Sequence, residues 1–170
     1  MEISVGHPLN ERFLNYYRTA RGELGSAEEE IVKESPERLI VWKDDDEILG
    51  HAIWHPSDTE THPDGSQREE DDREILLELL GGPAAFVELH EIWLLEEHRG
   101  KGYGEAFFDF FEDMMMEKGF RHIVYYADHP AALAICRRRG YREAHGVELD
   151  GQTFYVLTLD LGNDSRKKRK

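Results

Sequence analysis

The order of hydrophobic periods along this chain predicts an α/β domain built on a mixed sheet, and three observations carry that prediction. Apolar residues make up 39% and aromatics 11% of 170 residues, enough for a real core at the usual size of one domain. Helix-period and strand-period segments interleave along the chain, the pattern of helices packed on a sheet. The chain then closes with two strand-like runs around Asp150-Gly151, a hairpin signal that adds antiparallel pairing.

Each element follows from local chemistry. Phe13, Leu14, Tyr16 and Tyr17 recur at loosely helical spacing within 10–21, and Gly22 is the expected stop. Ser26-Ala27-Glu28-Glu29 has capping-box spacing for a second helix, which Pro36 closes. Residues 39–42 and 48–55 read as two strands joined by a turn at Asp44-Asp45-Asp46. A polar stretch, 56–73, separates them from a short amphipathic helix over 73–80, ended by Gly81-Gly82-Pro83. A long strand follows over 85–95. The helix over 105–118 is the clearest element: Phe107, Phe108, Phe111, Met114 and Met115 form one stripe, read as core, and Gly119 stands at C′. Residues 123–126 make a strand, Pro130 opens a helix to Arg139, and 153–159 is the last strand.

Charge narrows the possible partners. Acidic residues outnumber basic ones 36 to 21, for a net charge of -15. Five of the cations form the terminus Arg166-Lys167-Lys168-Arg169-Lys170, and without them the balance is 16 against 36, or -20. Such a body repels phosphate backbones, so nucleic acid is not an expected partner and a cation is. The lone cysteine, Cys136, excludes an internal disulfide and a cysteine-rich zinc site, and points to a cytoplasmic setting. No signal peptide precedes Val5, and the greasiest region, 75–95, is broken by Glu78, Glu88, His90 and Glu91, so no membrane span is expected. His51 and His55 share a strand face but lie about 13 Å apart at strand rise, too far for one ion. No metal centre is expected.

The chemistry concentrates where the long strand meets the strongest helix. Glu97-His98-Arg99-Gly100-Lys101-Gly102-Tyr103-Gly104-Glu105 holds three alternating glycines and two cations ahead of a helix N-terminus. Glycines let the backbone curl so that several N–H groups point one way, and the helix dipole adds positive potential, which suits a pyrophosphate. A P-loop needs Ser or Thr after Gly-Lys, whereas Lys101 precedes Gly102, and the alternating glycines do not make G-x-G-x-x-G.

Arg99, Gly102 and Gly104 spell R-x-x-G-x-G, which resembles the acyl-CoA pyrophosphate loop of the GNAT N-acetyltransferase superfamily. Gly50 stands where that family often has a hairpin glycine, and Ala132 through Arg139-Gly140-Tyr141 resembles its alanine-rich helix closing in Gly-Phe. The likeness spans 39–159. It implies one GNAT-like domain over 1–163 with an insertion at 56–83 and a basic tail at 164–170. It also implies a mostly antiparallel sheet flanked by helices, whose central strands splay to form an acyl-CoA cleft. Acetyl-CoA is then the co-substrate, held by Arg99, Gly100, Lys101, Gly102, Tyr103 and Gly104, by the backbone of Ile92, Trp93 and Leu94, and by His129, which replaces a frequent family asparagine. Homodimers are common in the family.

Acetyl transfer to an amine needs a proton acceptor for the nucleophile and a donor for the departing thiolate. Glu88, eleven residues before Arg99, resembles the catalytic glutamate of some members. His90 lies two residues on, on the same strand face about 7 Å away, and acts directly or through water. A solvated strand face, or pairing with Arg and Lys, is the competing reading for both. Glu91 faces the other way unless a bulge intervenes. The family's acid tyrosine is replaced by Cys136, whose thiol has an ordinary pKa near 8.5. Cys136 also suits a buried core position, and Tyr125, Tyr126 and Tyr141 stand as other candidates for the acid.

The expected activity is therefore acetyl transfer from acetyl-CoA to a primary amine, a small amine or polyamine, a lysine or a protein N-terminus, by direct attack in a ternary complex. The alternative is a CoA-binding or protein-interaction module with little catalysis. For the acidic stretch 56–73 two readings stand side by side: a solvated, mobile insertion, or an acidic rim that steers a cationic acceptor. The basic tail reads as a solubilising end.

Overall fold

The computed structural model describes residues 1–149 and 151–162. Asp150 of the closing turn and the basic tail 164–170 lie outside the described residues. The chain folds as α/β with an open, mostly antiparallel sheet flanked by helices, in agreement with the sequence. Its strands are β1 (Glu2–Val5), β2 (Leu39–Asp44), β3 (Glu47–Asp58), β4 (Ala85–Leu94), β5 (His122–Ala127), β6 (Arg142–Leu149) and β7 (Gln152–Asp160). Its helices are α1 (Glu11–Arg21), α2 (Ser26–Glu34), α3 (Glu70–Leu80), α4 (Tyr103–Glu117) and α5 (Pro130–Arg138). Among the described residues no helix is long and apolar enough to cross a membrane. Two compact units interleave along the chain: one takes 1–55 and 89–107, the other 56–88 and the chain from 108 onward.

In the first unit the strand order is β1-β2-β3-β4. β1, four residues at the sheet edge, has no counterpart in the sequence reading, because so short a half-buried run carries no clear period. β2 and β3 pair antiparallel through a two-residue turn in which Asp45 takes φ 53°, a conformation Asp tolerates. The register sets Leu39 opposite Ile53 and Val41 opposite His51. Leu39, Val41 and Ile53 join Phe13 and Tyr17 of α1 and Ile31 and Val32 of α2 in one core. Asn10 caps α1 by accepting from the Phe13 amide at 3.0 Å. Helix α2 departs from the expected capping box: Gly25 is its N-cap, which places Ser26 inside the first turn and Glu28 at N3.

Trp42 and Gly50, paired across β2 and β3, form a second packing contact. The Trp42 indole packs at 4.8 Å against Phe107 with the rings tilted by 47°, and its Nε1 donates to the Tyr103 carbonyl at 3.1 Å. The first turn of α4 is thereby tied to the sheet. A Cβ on Gly50 would lie 2.6 Å from the Trp93 carbonyl oxygen and 2.8 Å from Trp42 Cε3, so only glycine permits this approach.

In the second unit the order runs β4-β5-β7-β6, with β7 antiparallel to both neighbours. Leu76 and Leu79 of α3 pack with Phe86, Val124, Val147 and Val156. The acidic stretch carries regular structure. β3 continues to Asp58, Thr61 bridges to Gln67, and α3 begins at Glu70. Arg68 is 5% exposed. It donates to the Asp58 carbonyl at 2.7 Å, to Ser57 Oγ at 2.8 Å and to Asp72 Oδ2 at 2.9 Å. A buried guanidinium with these partners is what folds the segment, since an ion taken from water must recover its hydrogen bonds. In α4, Phe108, Phe111 and Met115 are buried as the stripe predicts, and Glu112 is buried with them, bridged by Arg139 and Tyr141.

Gly50→Ala is expected to lower stability by about 1–3 kcal/mol, the usual range for overpacking a tight contact. A urea midpoint that falls at unchanged slope checks it; an unshifted midpoint contradicts the contact.

Candidate functional site

β4 changes character along its length. Phe86, Val87 and Leu89 are buried, but from His90 through Leu95 every residue is half-buried. A strand packed on one face alternates, so an unbroken half-buried run means accessible space along both faces. A 3-10 turn at Glu96–His98 follows, and then the glycine loop. Gly100 and Gly102 take φ of 79° and 82°, the left-handed region open to glycine. No atom lies within 4 Å of where a Cβ on either would stand. The Ala106 amide donates to the Gly102 carbonyl at 3.1 Å, which starts α4 and places Gly104 in its first turn. First-turn amides have no intrahelical acceptor, and the dipole adds positive potential there. An open loop of this shape, with Lys101 exposed, fits a pyrophosphate.

Arg99 has a more structural placement than its sequence position suggests. Its Nε donates to the Leu94 carbonyl at 2.8 Å, and its guanidinium lies 4.8 Å over the Trp93 ring. Arg21 stacks on the same indole at 4.7 Å. Arg99 thus closes the turn that follows β4, and Trp93, half-buried, is held between α1 and the loop.

His90 and Glu91 are sequence neighbours, yet both reach the helical layer of α1 and α2. His90 Nε2 lies 3.5 Å from Glu28 Oε1 of α2, and its ring packs 5.3 Å from that of His55. Glu91 accepts from the Tyr17 hydroxyl at 3.0 Å and from His51 Nε2 at 2.7 Å, and pairs with Arg21 Nε at 3.1 Å. Strict alternation forbids this; a bulge permits it. His51 is fully buried, and its Nδ1 accepts from Tyr16 at 2.8 Å, so both ring nitrogens are satisfied. Burial pushes the Glu91 carboxyl up, but the hydrogen bond from His51, the charge of Arg21 and the Tyr17 hydroxyl outweigh it, and the pKa stays below its ordinary value. Burial and the neighbouring Glu91 charge push both tyrosines up, which keeps them protonated as donors.

The remaining candidates lie in the second unit. Glu88 has Arg68 Nη2 3.9 Å from its Oε1. Tyr126 donates to Asp72 at 2.6 Å, and burial pushes its hydroxyl far up. Tyr141 is buried and donates to Glu112 at 2.9 Å, so its proton is committed inside the core. Cys136 is fully buried on α5, the placement of a packing residue. His129 is the N-cap of α5, where Nδ1 accepts from the Ala131 amide at 3.2 Å.

Sequence reasoning missed Glu28, the brace around His51 and the anchor at Arg68. A signal existed for one of them: His51 interrupts the apolar run 48–54, and a polar group inside a buried strand needs a partner.

The Acetyltransferase (GNAT) family model matches residues 7–141. At the level of sequence alone, no curated protein matches. Among solved structures, the Drosophila melanogaster polyamine N-acetyltransferase that forms N-acetylagmatine superposes with a TM-score of 0.68 at 13% identity, covering 94% of this chain and 100% of that one. A mosquito arylalkylamine N-acetyltransferase, like 5b, gives 0.66 at 13% identity over 94% and 99%. The NatC complex bound to Gag peptide and CoA gives 0.64 at 15% identity over 94% and 99%.

Glu91→Gln is expected to cost about 3 kcal/mol at neutral pH, the low end for breaking a buried ion pair. A carboxyl held below its ordinary pKa of 4.5 stabilises the fold above that pH and loses the effect as pH falls through the folded value. The gap between wild type and variant in urea titrations should therefore narrow below pH 4.5. A gap that does not change with pH contradicts the assignment.

Proposed function

The chain belongs to the GNAT acetyltransferase family and is an acyl-CoA-dependent acetyltransferase; we propose that it transfers the acetyl group of acetyl-CoA to a primary amine that carries further positive charge. The observation that carries this reading is the half-buried run of β4 leading straight into an open glycine loop at a helix N-terminus. Gly100, Gly102 and the first-turn amides of Tyr103 and Gly104 would hold the pyrophosphate, with Lys101 beside them. The edge groups of Ile92, Trp93 and Leu94 would hold the extended arm. When bound, acetyl-CoA supplies an activated thioester.

The residues of β4 supply the proton chemistry. An alkylammonium must lose a proton before its nitrogen can attack. That nitrogen forms a bond to the acetyl carbon as the carbon–sulfur bond breaks, and the thiolate takes up a proton. His90 is the favoured acceptor of the first proton, because its ring is partly exposed and braced by a carboxylate. Glu88 is the second candidate. Burial of Cys136 and Tyr141 favours return of the proton to the thiolate from His90 or from water. The acceptor class rests on charge: 36 acidic residues against 21 basic ones attract a cationic amine. The polyamine and agmatine acetyltransferases that share the fold are named for amines of that kind, and the arylalkylamine enzyme for an amine without the second charge. A cytoplasmic setting belongs to the same reading, since a single thiol suits a reducing compartment.

Acetyl-CoA at a hundredfold excess over its Kd should add about 2.7 kcal/mol and raise the Tm by several degrees, whereas NADH and ATP leave it in place. Gly102→Val should abolish that shift; residue 102 takes φ 82°, so the variant's own Tm falls as well, and the comparison is its Tm with and without acetyl-CoA. No shift in the wild type would contradict CoA binding. In a thiol-release assay with agmatine and tyramine as acceptors, His90→Gln should lower kcat by about 10²-fold with the acetyl-CoA Kd unchanged. A loss in Glu88→Gln and none in His90→Gln would move the role to Glu88.

A further inference from the structure

We propose that Glu28 of α2 is a specificity-determining residue, whose carboxylate receives the second positive charge of the acceptor while the reacting amine approaches β4 beside His90. The inference rests on the reading of the acceptor as an amine that carries a further charge.

Two observations carry it, both within the first unit. The first is placement. Glu28 Oε1 lies 3.5 Å from His90 Nε2, and the side chains are 23% and 26% exposed, so both reach solvent at one place beside the strand. An acceptor whose reacting nitrogen stands at His90 carries its other charge only a few bonds away. Glu28 itself stands at N3 of a helix whose N-cap is Gly25, and its Oε2 lies 2.6 Å from where a Cβ on residue 25 would be. Glycine at the cap leaves the space the carboxylate occupies.

The second observation is the balance of charge. Two carboxylates, Glu28 and Glu91, accompany one permanent cation, Arg21, and that cation is engaged elsewhere. Its Nε pairs with Glu91 at 3.1 Å, and its guanidinium lies 4.7 Å over the Trp93 ring. Glu91 is 11% exposed and also accepts from Tyr17 and His51, so its oxygens are filled by the protein. Among the described residues, the side-chain contact left to Glu28 is the His90 imidazole, a group that is cationic only when protonated. The hydrogen bond from His90 holds the Glu28 carboxyl below its ordinary value against the opposing effect of burial, aided by its own amide and by the charge of Arg21. An ionised carboxylate shielded from water attracts a cation more strongly than one in bulk solvent. A guanidinium or ammonium can donate to it while His90 stays in place, because a carboxylate has about four acceptor positions.

The test compares agmatine with its urea analogue, in which a neutral carbonyl oxygen replaces one guanidinium nitrogen at nearly unchanged shape. The full chain is assayed by thiol release, and the readout is the ratio of kcat/KM for the two acceptors. A disturbance of His90 affects both acceptors alike, so the ratio isolates recognition of the second charge. Wild type should favour agmatine by about ten- to hundredfold, the range for a hydrogen bond to a charged group. Glu28→Gln removes the charge, and Gly25→Ala keeps it but displaces the carboxylate; each should erase most of the preference, through a higher KM for agmatine. Glu29→Gln removes a neighbouring charge that pairs with Lys33 at 2.6 Å, and should keep the preference. A preference that survives in both Glu28→Gln and Gly25→Ala would overturn the role of Glu28. So would one lost equally in Glu29→Gln, which would assign it to the field of the whole acidic chain. Equal use of both acceptors by the wild type would overturn the role and leave acetyl transfer to amines standing. Turnover of neither would remove the proposed acceptor class and this role together, while the acetyl-CoA thermal shift reports cofactor binding separately.

Discussion

A missing side chain sets the geometry on which the candidate site depends. At Gly50 the backbone of β3 lies where any Cβ would strike the Trp93 carbonyl and the Trp42 ring. That close approach leaves the Trp42 indole seated on Phe107, with its N–H on the carbonyl of Tyr103, the first residue of α4. The end of β4, the glycine loop and the start of the helix are therefore tied to one point of the sheet. A phosphate cradle made of backbone amides gains its affinity from preorganisation, because amides that must be ordered on binding cost entropy. The loop is flexible by composition and held by its anchors.

The polar residues of β4 follow a second logic. Glu91, His51, Tyr16, Tyr17 and Arg21 satisfy one another, and a network that is fully bonded in a low dielectric is rigid. Its place is the point where strand alternation fails and His90 and Glu91 both reach toward the helices.

The large-period features were legible in the sequence: the stripe of α4, the Asn10 and Pro130 helix starts, the β2–β3 turn, and the alternating glycines. Each is a local pattern with a local cause. The short β1 and the partners of Glu28 and His51 were not legible, because they are fixed by tertiary contacts between residues tens of positions apart. The stretch 56–73 shows the limit most clearly. Its acidic composition suggests solvated chain, yet one arginine within it turns inward and gathers Ser57, Asp58 and Asp72 around itself. Composition counts charges. It does not say which of them will meet.

The interleaving of the two units has a consequence for how the chain is made. The first unit needs 1–55 together with 89–107, and the intervening 33 residues belong to the other. During synthesis the early strands and helices emerge well before β4 and the glycine loop, so the core of α1, α2, β2 and β3 waits with an open strand edge until the partner segment arrives. Long-range closure of this kind slows folding and exposes edges to wrong pairing. The Arg68-centred segment, whose contacts to Ser57, Asp58 and Asp72 span at most eleven residues, can close locally in the meantime. That shortens the distance the late strand must search before it finds its neighbour.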